Sequence, residues 1–231
     1  MNRKYKDTLF VKLFSDECLL RDLYNALAGT AFGPDTPLSI NSLSNVLFMQ
    51  RSNDISFSIA NHLVVLIEHQ STINYNMPLR FLLYFGRILE KLIDEKTIYR
   101  SAPAAIPLPD FYVVYNGVDP FPDYKELKLS DSFPAIHPRP LYLELIVKVL
   151  NINYGHNRDL LGRCEALGMY AAFTEMVRGE LRPGMSRQEK REILQKVINR
   201  SIDEGILKEF LLANTPEVRN MLFTKWNWDD Y

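Results

Sequence analysis

The residues of this 231-residue chain best suited to chemistry are two acids fourteen positions apart, Asp54 and Glu68, with Gln70 two places further on. The pattern between them makes them a candidate pair. Asp54 to Ile59 alternates, with Ile55, Phe57 and Ile59 apolar against Asp54, Ser56 and Ser58. Leu63 to Ile67 is a continuous apolar run, as in a strand buried on both faces. Only Ala60-Asn61-His62 lies between the two runs, which predicts an antiparallel hairpin. Aligning the apolar sets puts Ile59 opposite Leu63, Phe57 opposite Val65 and Ile55 opposite Ile67. One residue further out, Asp54 then stands opposite Glu68, and the two-residue period brings Gln70 to the same face. Opposed β-carbons lie about 4.5–5.5 Å apart, close enough for two carboxylates to reach one hard divalent cation. Mg²⁺ fits that description, since its octahedral shell takes a few carboxylate oxygens and keeps waters for chemistry. The backbone carbonyl of His69 is a further oxygen ligand within reach. Two solvated acids at a sheet rim would show the same spacing, so spacing alone leaves both readings open. The context favours chemistry, because the run that Glu68 closes is too apolar to end harmlessly in an unpaired acid.

These residues need a frame, and the chain supplies one. Asp7 to Leu27 carries apolar residues at helical spacing, interrupted by Ser15-Asp16-Glu17, which predicts two short helices or one kinked helix ended by Gly29. Three strand-like runs follow, Ser44–Gln50, Asp54–Ile59 and Leu63–Ile67. Asn76-Met77-Pro78 then starts a helix running to about Lys96, with Leu79, Leu82, Leu83, Leu89, Leu92 and Ile93 on its buried side. Phe111 to Tyr115 reads as a strand, Val118 to Pro140 as a Pro- and Asp-rich excursion, and Tyr142 to Ile152 as a further strand. From Asn157 onward the pattern is helical, including an amphipathic helix from Arg187 that continues through Leu211. The expected class is α/β: helix, three-strand antiparallel meander, helix, strand, then a helical C-terminal extension. The expected division is a domain over 1–156 and a helical region over 157–231, whose amphipathic faces suit packing on the core or a homo-oligomer.

Composition sets the outer bounds. Hydrophobic residues make up 47% and charged residues 24%, which excludes disorder as a description of the whole chain. Lys and Arg number 27 against 28 Asp and Glu, so no polybasic field gathers partners, although a local basic groove remains compatible. No apolar stretch approaches the roughly 20 residues of a membrane span, and no signal peptide is visible. Cys18 and Cys164, far apart in helix-like patterns, read as buried thiols of a cytoplasmic protein. The four histidines form no zinc-binding spacing, and no glycine-rich phosphate loop is present. His69 should face away from Glu68.

Several of these stretches carry a resemblance. Asp54-Ile55-Ser56-Phe57, Ile67-Glu68-His69-Gln70-Ser71, Met77-Pro78-Leu79-Arg80 and Tyr84 resemble the PD-(D/E)XK nuclease-family transposases. Among these, they look most like the bacterial recombination-promoting nuclease/putative transposase family. Lys6 to Phe10 with Lys12-Leu13-Phe14, and Asn151 to Asn157, are similar too, so the resemblance spans residues 4 to about 215. It implies a restriction-endonuclease-like core and a Mg²⁺- or Mn²⁺-dependent endonuclease acting on DNA. Asp54 and Glu68 would be its metal ligands. Gln70 falls where most such nucleases have lysine; an amide orients a water but carries no charge, which leaves more of the work to the metal. Arg80, Tyr84, Arg87 and Lys91 recur at spacings of four, three and four along one helix. The resemblance makes Arg80 and Tyr84, with Arg87 beyond them, a phosphate-binding edge. Asp7 and Lys12 match family positions on the first helix, as outer support for the metal or as residues that cap and solvate that helix. The alternative in another class is a nuclease-fold module that has lost catalysis and acts through DNA or protein contacts.

Overall fold

A computed structural model describes residues 4–40, 54–60, 63–134 and 140–225; residues 4–8, 54, 63, 64, 66, 68, 215, 217 and 219–225 are described by their backbone alone. The chain divides into two compact units. One comprises Asp35–Tyr115 with Asp119–Asn151, and the other Met1–Pro34, Asn116–Val118 and Ile152–Tyr231. This differs from the expected split at 156/157, because the N-terminal helices group with the C-terminal ones rather than with the sheet.

The first of these units holds one mixed six-stranded sheet. Its strands are β1 (Leu38–Ile40), β2 (Asp54–Ile59), β3 (Leu63–Gln70), β4 (Leu108–Tyr115), β5 (Tyr124–Lys128) and β6 (Ile146–Asn151). Their order across the sheet is β1-β2-β3-β4-β6-β5. β2 runs antiparallel to both β1 and β3, β3, β4 and β6 run parallel, and β5 returns antiparallel to β6. A parallel neighbour needs a crossover. The one between β3 and β4 carries α3 (Met77–Leu92) and the short α4 (Glu95–Ile98).

α3 packs by an aromatic stripe. Met77, Phe81, Tyr84 and Ile88 are buried, together with Phe111, Val113 and Tyr115 of β4, Leu127 of β5 and Val147 and Val149 of β6. Phe81 stacks on Phe111 with ring centroids 5.4 Å apart. Of the leucines expected on this face, Leu82 packs half-buried against the cluster and Leu89 is half-buried, while Leu79, Leu83 and Leu92 are 43%, 49% and 53% exposed. Both stripes have helical period, so the period alone leaves the phase open. The aromatic stripe wins because each ring removes more apolar surface from water.

Three strand expectations are corrected or relocated. Ser44–Gln50 lies outside the described residues, and the second antiparallel partner of β2, besides β3, is Leu38–Ile40, a stretch for which no strand was expected. The excursion from Val118 to Pro140 contains β5, whose Tyr-Lys-Glu-Leu-Lys sequence buries only Leu127 and so lacks an apolar signal. Charged edge strands of this kind discourage pairing with other chains. The strand expected from Tyr142 begins at Ile146, with Tyr142 86% exposed.

The other unit is helical: α1 (Lys4–Leu13), α2 (Glu17–Ala28), α5 (Arg158–Arg163), α6 (Glu165–Glu180), α7 (Arg187–Asp203) and α8 (Lys208–Lys225). Ser15-Asp16-Glu17 separates α1 from α2, as expected. Asp16 Oδ1 accepts from the Cys18 and Leu19 N–H groups, and Gly29 closes α2 at φ 70°. The helix expected to run unbroken from Arg187 through Leu211 is interrupted by Gly205 and Leu207, both with positive φ. The Arg178 guanidinium of α6 donates to the carbonyl and side-chain oxygens of Asn116 and to Asn153 Oδ1, tying those two segments to the helix. Cys164 is buried as expected, while Cys18 is exposed; both are free. No described helix is long and apolar enough to cross a membrane.

Candidate active site

The β2–β3 register is the one the apolar pattern demands. Ile59 pairs with Leu63, Phe57 with Val65, Ile55 with Ile67, and Asp54 with Glu68. Ile55, Phe57, Ile59, Val65 and Ile67 are all buried, so one face is wholly apolar and alternation places Asp54, Glu68 and Gln70 on the other. A slip of one residue would expose that entire apolar set, which is why the register is strongly specified.

The parallel pairing with β4 identifies the face. Glu68 is aligned with Val113 and Gln70 with Tyr115, and both partners belong to the cluster under α3. Asp54, Glu68 and Gln70 therefore share the sheet face that α3 covers, toward the C-terminal end of β3. His69, on the opposite face by alternation, is 1% exposed, in keeping with the expectation that it faces away.

α3 brings Arg80 and Tyr84 to this side. Arg80 donates from Nε (3.2 Å) and Nη2 (2.9 Å) to the Tyr84 hydroxyl, and from Nη1 to Met77 Sδ at 3.2 Å. Tyr84 is buried in the core, so its hydroxyl is a fixed anchor one helical turn away. The bond to this fixed hydroxyl orients the guanidinium. Arg87, on the same helix, is exposed and paired with Glu90 at 2.8 Å. A phosphate would compete with that carboxylate, although exposed pairs of this kind contribute only about 0–1 kcal/mol.

Gln70 holds a role that sequence reasoning missed. It is only 6% exposed, and its Oε1 accepts the Asn74 backbone N–H at 3.1 Å. Asn74 in turn accepts from Asn76 N–H with Oδ1 (3.0 Å) and from Met77 N–H with its carbonyl (3.1 Å). The glutamine thus braces the 71–76 turn that delivers the chain to the first turn of α3. The Asn74-Tyr75-Asn76 sequence, with an Asn74 side chain suited to bonding the backbone two residues on, is the local signal for such a turn. With Oε1 turned to the backbone, the amide nitrogen of Gln70 can only donate.

Asp7 and Lys12 lie on α1, in the helical unit; Lys12 is half-buried in the last turn of that helix, and Asp7 is described by its backbone. Among the described residues, no three His, Cys, Asp or Glu side chains converge as a metal site. The donor set offered by Asp54, Glu68 and the His69 carbonyl is all oxygen, which suits a hard cation rather than zinc or copper.

Comparison with protein families finds a match in the sheet-bearing part of the chain. Residues 41–146 are similar to the family described as putative transposase, YhgA-like. The matched segment is a little under half of the chain. It takes in β2, β3, α3, β4 and β5 and ends on the first residue of β6, so it contains Asp54, Glu68, Gln70, Arg80, Tyr84 and Arg87 and excludes Asp7 and Lys12. Neither a curated protein nor a solved structure gives a match to this chain.

Proposed function

We propose that this protein is a metal-dependent DNA endonuclease of the transposase type, built on a restriction-endonuclease-like core. The observation that carries the reading is the pairing of Asp54 with Glu68 on the α3 face, inside the transposase-family segment. Two opposed acids at the end of an apolar hairpin are expensive unless a cation offsets their repulsion. Asp54 and Glu68 would hold Mg²⁺ or Mn²⁺, with the His69 carbonyl as a third oxygen. When bound, the ion supplies electrostatic stabilisation at the phosphodiester and lowers the pKa of water.

The chain's own residues would do the rest. Gln70 Nε2 donates a hydrogen bond that fixes the orientation of a water; it removes no proton, because an amide has no useful basicity. Arg80, oriented by Tyr84, would bring positive charge to a phosphate oxygen, where charge builds up as the phosphodiester is attacked. Arg87 would bind a phosphate further along once Glu90 is displaced.

The deciding experiment is nicking of supercoiled plasmid in Mg²⁺ or Mn²⁺ by the wild-type chain and by Asp54→Ala and Glu68→Ala. Wild-type cleavage lost in both variants supports the reading; cleavage that survives in either removes that residue from the site. One observation favours a second reading, a DNA-binding module without catalysis: Gln70 Oε1 is committed to the turn. That reading predicts salt-dependent DNA binding with no cleavage in either metal.

A further inference from the structure

We infer that Tyr75 and Lys125 form a second nucleic-acid subsite, one that takes an unpaired stretch of the DNA three strands across the sheet from the two acids. This rests on the nuclease reading above.

The pair is assembled from two distant parts of the chain. Lys125 Nζ lies 5.1 Å from the centroid of the Tyr75 ring. Tyr75 is 63% exposed, and Lys125 is exposed as well. Tyr75 sits on the turn that Gln70 braces, so the residue beside the two acids also fixes this ring's support. Lys125 is anchored from its own side. Asn151 donates its backbone N–H to the Asp123 carbonyl (2.9 Å) and its Nδ2 to the Phe121 carbonyl (2.8 Å), which holds the start of β5 at the sheet's rim.

The registers then relate the pair to the acids. Asp54 aligns with Glu68, Glu68 with Val113, Val113 with Val149 and Val149 with Lys125, a single row across the sheet on the α3 face. Strands are about 4.8 Å apart, so the three strand steps from Glu68 to Lys125 span about 14 Å. The 71–76 turn begins beside the acids, at Gln70, and carries the ring that meets Lys125.

The chemistry selects the ligand. An exposed ring stacks on any base, but only one that is not already stacked in a duplex. An ammonium beside it is a point charge for the adjoining phosphate. An exposed cation–π contact is weak enough for a phosphate to draw the ammonium away from the ring when a base arrives. A ring and a cation together are the combination that tracks single strands.

The test is fluorescence-anisotropy titration of the full chain in Ca²⁺, to suppress cleavage, with a labelled single strand and its blunt duplex. Tyr75→Ala should weaken single-strand binding about ten-fold and duplex binding less than two-fold, while Tyr75→Phe keeps wild-type affinity. Lys125→Ala should weaken single-strand binding and lower its salt slope by about 0.7. Equal effects of Tyr75→Ala on both forms, or no effect of Tyr75→Ala and Lys125→Ala on the single strand, overturn the inference. If the wild-type chain cuts plasmid and this result appears, only the subsite fails. If it neither cuts nor binds any DNA, the nuclease reading fails with it.

Discussion

Replacing Gln70 separates support from chemistry at the candidate site. Gln70→Ala deletes the acceptor that holds the Asn74 N–H and the donor that would hold a water. The bond is part-buried, and its loss costs about 0.5–1.5 kcal/mol. For a chain of this size that lowers Tm by roughly 1–6 °C. The rate effect is separate. One positioning hydrogen bond in an active site changes turnover by about ten- to a thousand-fold. Gln70→Lys then divides the two roles. Lysine restores a donor, and the family resemblance implies that it is tolerated in the reaction, yet it has no acceptor for Asn74. It should therefore keep plasmid nicking within about ten-fold of wild type while showing the same fall in Tm as Gln70→Ala. Thermal unfolding by circular dichroism and initial nicking rates, at fixed salt and Mg²⁺, measure both. A Gln70→Ala protein with wild-type Tm refutes the brace, and one with wild-type nicking refutes the water-positioning role.

The other expectations are quickly checked. Asp54→Ala and Glu68→Ala should each abolish Mg²⁺-dependent nicking with circular dichroism spectra unchanged, since removing one of two opposed acids relieves repulsion in the metal-free protein. Burial pushes the Cys164 thiol up to about 11, whereas Cys18 is exposed. The native protein at pH 8 should take up one equivalent of maleimide and the denatured protein two, as counted by mass spectrometry. The Ser186 hydroxyl and backbone N–H hold the Glu189 carboxyl below its usual range in the capping box that starts α7. A depressed carboxylate stabilises the fold above its unfolded pKa and loses that contribution as pH falls through the folded one. Helicity should therefore decline on acidification below about pH 4.3, and Ser186→Ala should flatten that decline.

The parts of the fold that were legible in the sequence are those where neighbours in the chain are neighbours in space. The β2–β3 hairpin is one: five buried apolar residues alternate against serines and acids, and only one register keeps them all inside. The Asp16 cap and the Gly29 stop of α2 are another, since each acts within three residues of the helix end. β5 was hidden because an edge strand that buries one leucine has nearly the composition of a loop. The exposed flank of α3 was misassigned for a different reason. Its residues are apolar almost all round, so the helical period was plain and the orientation depended on rings contributed by β4, residues away in sequence.

The same division runs through the candidate site. Asp54, Glu68 and Gln70 sit on one hairpin, so their meeting needs no information beyond that hairpin's alternation. Arg80 and Tyr84 are one helical turn apart, and the bond between them is equally local. Gln70 could be placed on the right face but not given its partner, because Asn74 accepts that role only once the turn toward α3 has closed. Lys125 lies further out of reach still. It comes beside Tyr75 through β4, β6 and β5 in succession, each step set by a separate strand pairing. A local motif can therefore align two acids, while on the proposed reading the choice of DNA would fall to residues that only the completed sheet assembles. Variants at the hairpin should accordingly act on cleavage itself, and variants at Tyr75 and Lys125 on which form of DNA is held.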